Sequence, residues 1–335
     1  MKIFAIESSC DETAAAIVEN GVNEISSVVA SSANLHEETG GVVPEVAARK
    51  QLEFVVPVID KTLANANLSF SDIDALAVTI GPGLVGSLFV GIEASKTLSA
   101  VLNKPLIPVN HLVGHIYANF VEFQNQIEFP ALVLIVSGGH TDLLIMRDHG
   151  DFEYLGGTLD DAVGEAFDKT ARLLGISKYL GGAKLSKLSA ECKTNIYQGI
   201  LPRPLINEPH YDFSFSGLKT FVRNFISKNP GLDVPSFACE FETACVDVLV
   251  AKTIKAATHH NIKNILIAGG VAANTHLRSR MVFEAENLGI PVFVPSSRLC
   301  TDNAVYIASA AFFNYFPRTL DKIFARPSLG IAETL

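Results

Sequence analysis

The chain repeats itself. Residues 3–21, IFAIESSCDETAAAIVENG, align without a gap on residues 132–150, LVLIVSGGHTDLLIMRDHG, at a constant offset of 129 that puts Ile6 on Ile135, Ser8 on Ser137 and Gly21 on Gly150. Each copy reads as an apolar strand, a tight polar turn and a second apolar strand ending at glycine, which is the pattern of a β-hairpin. A duplication of this kind restricts topology more than any short motif, because one supersecondary unit must satisfy both copies. It predicts an α/β protein of two lobes, each opening with such a hairpin, with the two turns facing one another across a cleft.

The later part of each half repeats more loosely. Residues 76–109 run from an apolar strand through Gly81-Pro82-Gly83 and a helix-like stretch to the strand PLIPV; residues 265–295 pass through Gly269-Gly270 and a similar stretch to PVFVP. Ligands in open α/β sheets gather beyond the carboxyl ends of the strands. His111 and His115 follow one of these strand ends and Asp302 follows the other. The expected division is an N-terminal lobe of residues 1–128, with 304–335 packing back onto it, and a C-terminal lobe of residues 129–303, so the three polar side chains would meet between the lobes.

The length, 335 residues with 48% hydrophobic and 18% charged, supports two domains with cores of their own. The N-terminus MKIFAIESS enters a strand directly and no uninterrupted apolar run reaches bilayer length, so neither a signal peptide nor a membrane span is expected. Five cysteines, Cys10, Cys192, Cys239, Cys245 and Cys300, form no C-x-x-C pair and suit reduced thiols in a cytoplasmic protein. The formal charge of −9 is unevenly spread: residues 169–228 hold ten Lys or Arg against Glu191, Glu208 and Asp212, giving +7 there and −16 elsewhere. Such a stretch reads either as a contact for a phosphate backbone or as a solvated helical face.

Several groups carry possible chemistry. The two hairpin turns, Ser8 to Thr13 and Ser137 to Asp142, combine small residues with hydroxyls and can cradle phosphate through backbone N–H groups. His111 and His115 are four apart, on one face of a helix, and suit a shared divalent metal. Asp302 would add an oxygen ligand, the alternative being a helix N-cap. Two imidazoles and a carboxylate fit iron, zinc or manganese better than calcium. Asp161, Glu165 and Asp168 would crowd one helical face unless a ribose, a metal or Lys169 offsets them. Gly269-Gly-Val-Ala-Ala-Asn274 reads as a strand-to-helix turn open to a nucleotide, with neither a dinucleotide fingerprint nor a P-loop. Leu112 occupies the position of the glutamate in an H-E-x-x-H protease, which excludes that chemistry.

Together these motifs resemble the tRNA threonylcarbamoyladenosine transferase family, TsaD in bacteria. The matching stretches are Glu7-Ser-Ser-Cys-Asp-Glu-Thr13, Gly40-Gly-Val-Val-Pro-Glu-Val-Ala-Ala-Arg49, Gly81-Pro-Gly-Leu-Val-Gly-Ser87, His111-Leu-Val-Gly-His115, Val136-Ser-Gly-Gly-His-Thr141, Gly164-Glu-Ala-Phe-Asp-Lys169, Phe213-Ser-Phe-Ser-Gly-Leu-Lys219, Gly269 to Asn274 and Cys300-Thr-Asp-Asn303. The resemblance implies the actin, Hsp70 and sugar-kinase (ASKHA) fold, with duplicated ribonuclease-H-like domains around a nucleotide cleft. It implies transfer of a threonylcarbamoyl group from threonylcarbamoyl-AMP to the N6 amine of the adenosine beside the anticodon, in tRNAs that read codons beginning with A. A scaffold paralogue or a small-molecule kinase of the same fold are the rival readings.

By the same resemblance His111, His115 and Asp302 would hold one divalent metal, iron first, with zinc, manganese or magnesium as alternatives. Ile135, Val136, Ser137, Gly138 and Gly139, with Asp168, Gly181 and Asn274, would bind the adenylate or ATP. Asp11, Glu12 and His140 are candidates for proton handling or donor orientation. The implied partners are tRNA, a TsaB-like paralogue in a heterodimer, a TsaE-like ATPase and a TsaC/Sua-type synthase that makes the adenylate, and no membrane. One departure stands out: Leu180 replaces the proline of the family's Tyr-Pro-Gly-Gly loop.

Overall fold

A computed structural model describes residues 1–33 and 41–333. Gly40, the first residue of one motif, lies outside them. The chain forms two compact units, Met1–Ile127 with Pro295–Leu335, and Glu128–Val294. The return to the first unit therefore comes earlier than the 303/304 boundary expected from sequence. Asp302 consequently belongs to the same unit as His111 and His115, because the helices that carry it pack on the helix of the histidines.

In the first unit, β1 (Lys2–Glu7), β2 (Glu12–Glu19) and β3 (Asn23–Ser31) form an antiparallel meander. Next come α1 (Pro44–Ala66), β4 (Ala75–Gly81), α2 (Val85–Leu102), β5 (Leu106–Asn110) and α3 (His111–Phe123). The sheet order is β3-β2-β1-β4-β5, with β4 and β5 parallel to β1. Val55 and Val58 of α1 and Leu88 and Ile92 of α2 share a core with Phe4, Ile6, Ile17 and Val78 of the sheet. Helix α2 is long and apolar enough for a membrane by composition alone, but it carries the Lys96–Glu93 ion pair and buries Leu88, Ile92 and Ser95.

The second unit repeats the plan. β6 (Ala131–Val136), β7 (Thr141–Asp148) and β8 (Asp151–Gly157) are antiparallel, and four helices follow: α4 (Val163–Leu173), α5 (Gly181–Ala190), α6 (Ser216–Lys228) and α7 (Val234–His259). Then β9 (Asn264–Ala268), α8 (Thr275–Glu286) and β10 (Val292–Phe293) complete the order β10-β9-β6-β7-β8, with β9 and β10 parallel to β6. Two α-helices of the first unit follow, α9 (Ser297–Cys300) and α10 (Val305–Phe313), and a 3-10 turn at Leu320–Lys322.

Strands β6 and β7 begin and end 129 residues after β1 and β2, as the sequence offset requires. Their pairing is not identical. Glu7 pairs with Ala14, enclosing residues 8–13, whereas Val136 pairs with Thr141, enclosing only 137–140. The slide is two residues, an even number, so inward-facing side chains stay inward in both copies.

At the end of β9, Gly269 has φ +93°, and a Cβ there would sit 2.4 Å from the carbonyl oxygen of Val136. This turn depends on the missing side chain twice, for its conformation and for its approach to β6. Gly269→Ala is expected to destabilise the protein by at least ~2 kcal/mol, measured by denaturant unfolding; an unchanged midpoint would contradict this account of the turn.

Candidate functional site

Helix α3 begins where Asn110 ends β5. The Asn110 side chain caps it, accepting from the N–H of Leu112 at 2.8 Å, which places His111 at the first helical position and His115 one turn on. Gly114 lets α10 approach: a Cβ at this position would lie 2.7 Å from both Ile307 and Tyr306. This close crossing brings in the chain just before α10. His115 Nε2 lies 3.4 Å and His111 Nε2 3.6 Å from Asp302 Oδ1, and one ligand atom from each residue lies within 4.8 Å of the others. Tyr306 donates its hydroxyl to Asp302 at 3.4 Å. Asp302 is not the helix cap; Asn303 is, accepting from the N–H groups of Val305 and Tyr306.

Behind the histidines lies a buried carboxylate. Glu7, at the end of β1, accepts from the Ser9 N–H at 2.6 Å and the Thr79 hydroxyl at 2.5 Å, and its Oε2 is 3.1 Å from His111 Nδ1. Ser9 Oγ is 3.3 Å from the same nitrogen. A carboxylate on Nδ1 fixes that nitrogen as the donor and leaves Nε2 facing Asp302 as a free ligand atom. Burial opposes charge on His111, but Glu7 and Asp302 outweigh it and raise its pKa to about 9. Burial, reinforced by charge on His111, lowers that of His115 against the pull of Asp302. Burial also opposes ionisation of Asp302, yet the two histidines hold it well below the usual carboxylate range. Two imidazoles and a carboxylate with a second-layer acid fit a divalent transition metal. The buried His115 Nδ1 has no hydrogen-bond partner among the described residues.

The first hairpin turn borders this trio. Asp11 is buried and Glu12 accepts from the Ser31 hydroxyl at 3.0 Å. Burial, then a hydrogen bond with Asp11 and the charge of Asp302, pushes the Glu12 carboxyl up to about 9. Burial pushes the Cys10 thiol well above its ordinary range, and all five cysteines are free thiols. His140 belongs to the other unit, in the shorter turn.

In the second unit Ile135–Gly139 and Asn274 lie at or after the carboxyl ends of β6 and β9, while Asp168 and Gly181 lie on α4 and at the start of α5. Ile135 and Val136 are wholly buried, so only Ser137–Gly139 offers an open surface, and nothing would meet a Cβ at Gly138 or Gly139. Ser137 braces the turn through its N–H to the His140 carbonyl, 2.9 Å, and by accepting the His140 N–H, 3.1 Å. Asp168 accepts from the Gly182 N–H at 2.8 Å and from that of Gly181, fixing the start of α5. Burial nevertheless keeps the Asp168 pKa raised. Gly181 is explained by packing, since a Cβ there would lie 2.4 Å from that of Ala171.

Asn274 is already engaged. It donates to Glu242 at 2.6 Å and Ser186 at 2.9 Å, and its carbonyl oxygen caps α8 through the Leu277 N–H. Its side chain holds helices α5, α7 and α8 together. The expected crowding of Asp161, Glu165 and Asp168 does not arise: Asp161 precedes α4 and accepts from Lys169 and Lys219, each at 3.0 Å, and Glu165 pairs with Lys169 at 2.6 Å. Asp160 accepts four hydrogen bonds at the start of α6, from the N–H and hydroxyl of Ser216, the Phe215 N–H and the Ser214 hydroxyl. Sequence reasoning gave no role to Glu7, Tyr306 or Glu242; the signal for Glu7 was an acid closing an otherwise apolar buried strand.

A family model described as TsaD, tRNA N6-adenosine threonylcarbamoyltransferase, matches residues 23–309. The chain belongs to that family. A relative of that name from Kosmotoga olearia is 51% identical over 312 residues, 93% of each chain. Another from Clostridium novyi is 49% identical, spanning 99% of this chain and 98% of its own. Among solved structures, component A of (R)-2-hydroxyglutaryl-CoA dehydratase from Acidaminococcus fermentans superimposes with a TM-score of 0.56 at 16% identity, covering 94% of this chain and 98% of that one. A ROK hexokinase from Thermus thermophilus gives 0.51 at 13%, covering 94% and 98%. At such identities the likeness concerns the fold alone, and the fold is the ASKHA type that the family resemblance implied.

Leu180 marks where the chain leaves the family pattern. Its φ is +47°, in the left-handed region that proline cannot adopt. Leu180→Pro is therefore expected to lower stability by more than ~1 kcal/mol while Leu180→Gly does not, as read from thermal unfolding. The metal trio gives a second prediction. With its pKa raised to about 9 from an ordinary 6.5, protonated His111 stabilises the metal-free fold fully below pH 6.5, and that contribution disappears as pH rises through 9. A metal must displace this proton. Divalent-metal binding at pH 7 should release close to one proton per site, a release that vanishes above pH 9; calorimetry in buffers of different ionisation enthalpy measures it.

Proposed function

We propose that this protein transfers a threonylcarbamoyl group from threonylcarbamoyl-AMP to the N6 amine of the adenosine adjacent to the anticodon in tRNAs reading codons that begin with A, releasing AMP. Family membership gives the reaction class, and the convergence of His111, His115 and Asp302 on one point is the observation that carries the reading over a scaffold or a kinase. His111, His115 and Asp302 would hold a divalent metal, iron before zinc, manganese or magnesium. When bound it supplies Lewis-acid stabilisation of negative charge on the donor or the departing phosphate.

The chain's own residues supply the rest. An adenine amine is a weak nucleophile, since its lone pair is delocalised into the ring, so positioning and charge stabilisation must lower the barrier. The open backbone of Gly138 and Gly139 offers N–H groups to the adenylate phosphate, the Ser137 N–H being held by the His140 carbonyl. Asp168 and Asn274 act as positioning residues, fixing the start of α5 and the junction of α5, α7 and α8. Glu7 positions His111. Asp11, Glu12 and His140 are the candidates for proton handling or donor orientation.

The protein acts in the cytoplasm with a TsaB-like paralogue, a TsaE-like ATPase and a TsaC/Sua-type synthase. The paralogue is assigned to the outer face of α1 and α2. Leu52 and Val56 on one helix and Val85 and Phe89 on the other expose apolar side chains at i, i+4 spacing, and α1 and α2 approach closely at Gly86 and Ala48.

The decisive experiment incubates the purified protein with tRNA, threonine, bicarbonate, ATP and the partner proteins, and analyses the nucleosides. Modified adenosine is expected with the wild type. His111→Ala should reduce its formation at least ~100-fold and abolish metal binding while leaving the fold intact. Full activity in a folded, metal-free His111→Ala protein would refute the reading.

A further inference from the structure

The ten cations of residues 169–228 are not a uniform solvated face. Arg203 is committed to buried Glu240 at 2.6 Å and to Asp247 at 3.1 Å. Four others line one groove of about 230 Å³ between α4 and α6: Lys169 and Arg172 on the first helix, Lys219 and Arg223 on the second, with Leu173 and Thr220 between them. Within each pair the spacing is i, i+3 or i, i+4, so the two cations stand one above the other along the helix. Asp161, largely buried, sits beneath and grips Lys169 and Lys219 at 3.0 Å each, which pre-orients both ammonium groups. Arg172 and Arg223 are exposed.

A solvated helix usually interleaves acids with its bases. Helix α6 holds no acidic residue; α4 carries Glu165, paired with Lys169, and Asp168, turned to the start of α5, and α5, which packs on α4, adds the exposed Lys184 and Lys187. The rest of the chain carries a net −16, which repels a polyanion elsewhere and confines contact to this surface.

We propose that the groove between α4 and α6 binds the phosphate backbone of the tRNA substrate. The inference rests on the transferase reading and adds to it a site outside the metal trio and the adenylate candidates. Lys169 and Lys219 are balanced by Asp161 and Glu165, so the net charge of the groove belongs to Arg172, whose guanidinium also donates to the Lys178 carbonyl, and Arg223, and these two make the contacts.

The test is equilibrium binding of fluorescent tRNA to the full-length protein across a salt series. Replacing both arginines, as Arg172→Ala with Arg223→Ala, should shrink the slope of log K against log salt by about 1.4–1.8, from roughly 0.7–0.9 per lost phosphate contact, and weaken binding ~10-fold or more at physiological salt. Arg223→Ala alone, at an exposed position, should remove about half of that slope. The pair Arg172→Lys with Arg223→Lys should retain it. An unchanged slope in the alanine variants overturns the groove while leaving the transferase reading intact. Wild-type protein that binds no tRNA overturns both. Competition by inorganic phosphate or AMP at matched ionic strength should leave tRNA bound; displacement by either would make this a small-anion site and refute the proposal.

Discussion

One carboxylate buried at the end of the first strand organises the candidate metal centre. Glu7 is removed from water, and an ionised group so placed is costly unless every lone pair finds a donor. The donors come from separate elements: the Ser9 N–H from the hairpin turn, the Thr79 hydroxyl from β4 and the His111 ring from α3. Folding therefore cannot satisfy Glu7 without also fixing the distance from β1 to α3. The same contact chooses which nitrogen of His111 faces Asp302. Architecture and ligand geometry are here set by a single desolvated charge.

The second unit keeps the scaffold and changes the equipment. Where the first copy has Glu7, the second has Val136, fully buried in β6 with no charge to satisfy. Its turn is shorter, and its polar groups are spent on bracing backbone: Ser137 on its own turn, Asp168 on the start of α5, Asn274 on three helices. Two equivalent strand ends therefore differ in a few side chains: one gathers Glu7, His111, His115 and Asp302, and the other a short turn with open glycines.

Much of this was legible in the sequence because strand period and offset are local properties. The hairpins, the parallel strands after them and the helical placement of His111 and His115 follow from spacing alone. Boundaries set by tertiary packing were less legible: nothing local marks Pro295 as the return point, so Asp302 was assigned to the wrong unit. Glu7 and Glu242 were passed over because an acid in an apolar run shows its partners only after folding. Leu180 was noticed as a missing proline, but its left-handed backbone could not be inferred from the letter. The basic segment is ambiguous as sequence because the groove shared by the cations of α4 and α6, with Asp161 beneath Lys169 and Lys219, forms only on folding.

The two-residue slide between the hairpins has an evolutionary consequence. Strand faces alternate with every residue, so a turn of this kind can lengthen or shorten only in steps of two without turning the apolar side outward. The two copies hold equal numbers of residues, so the slide re-paired two positions without adding or removing any, whereas a slide of one would have exchanged the inner and outer surfaces of the second strand. Parity, more than length, sets which loop variants of this domain can persist.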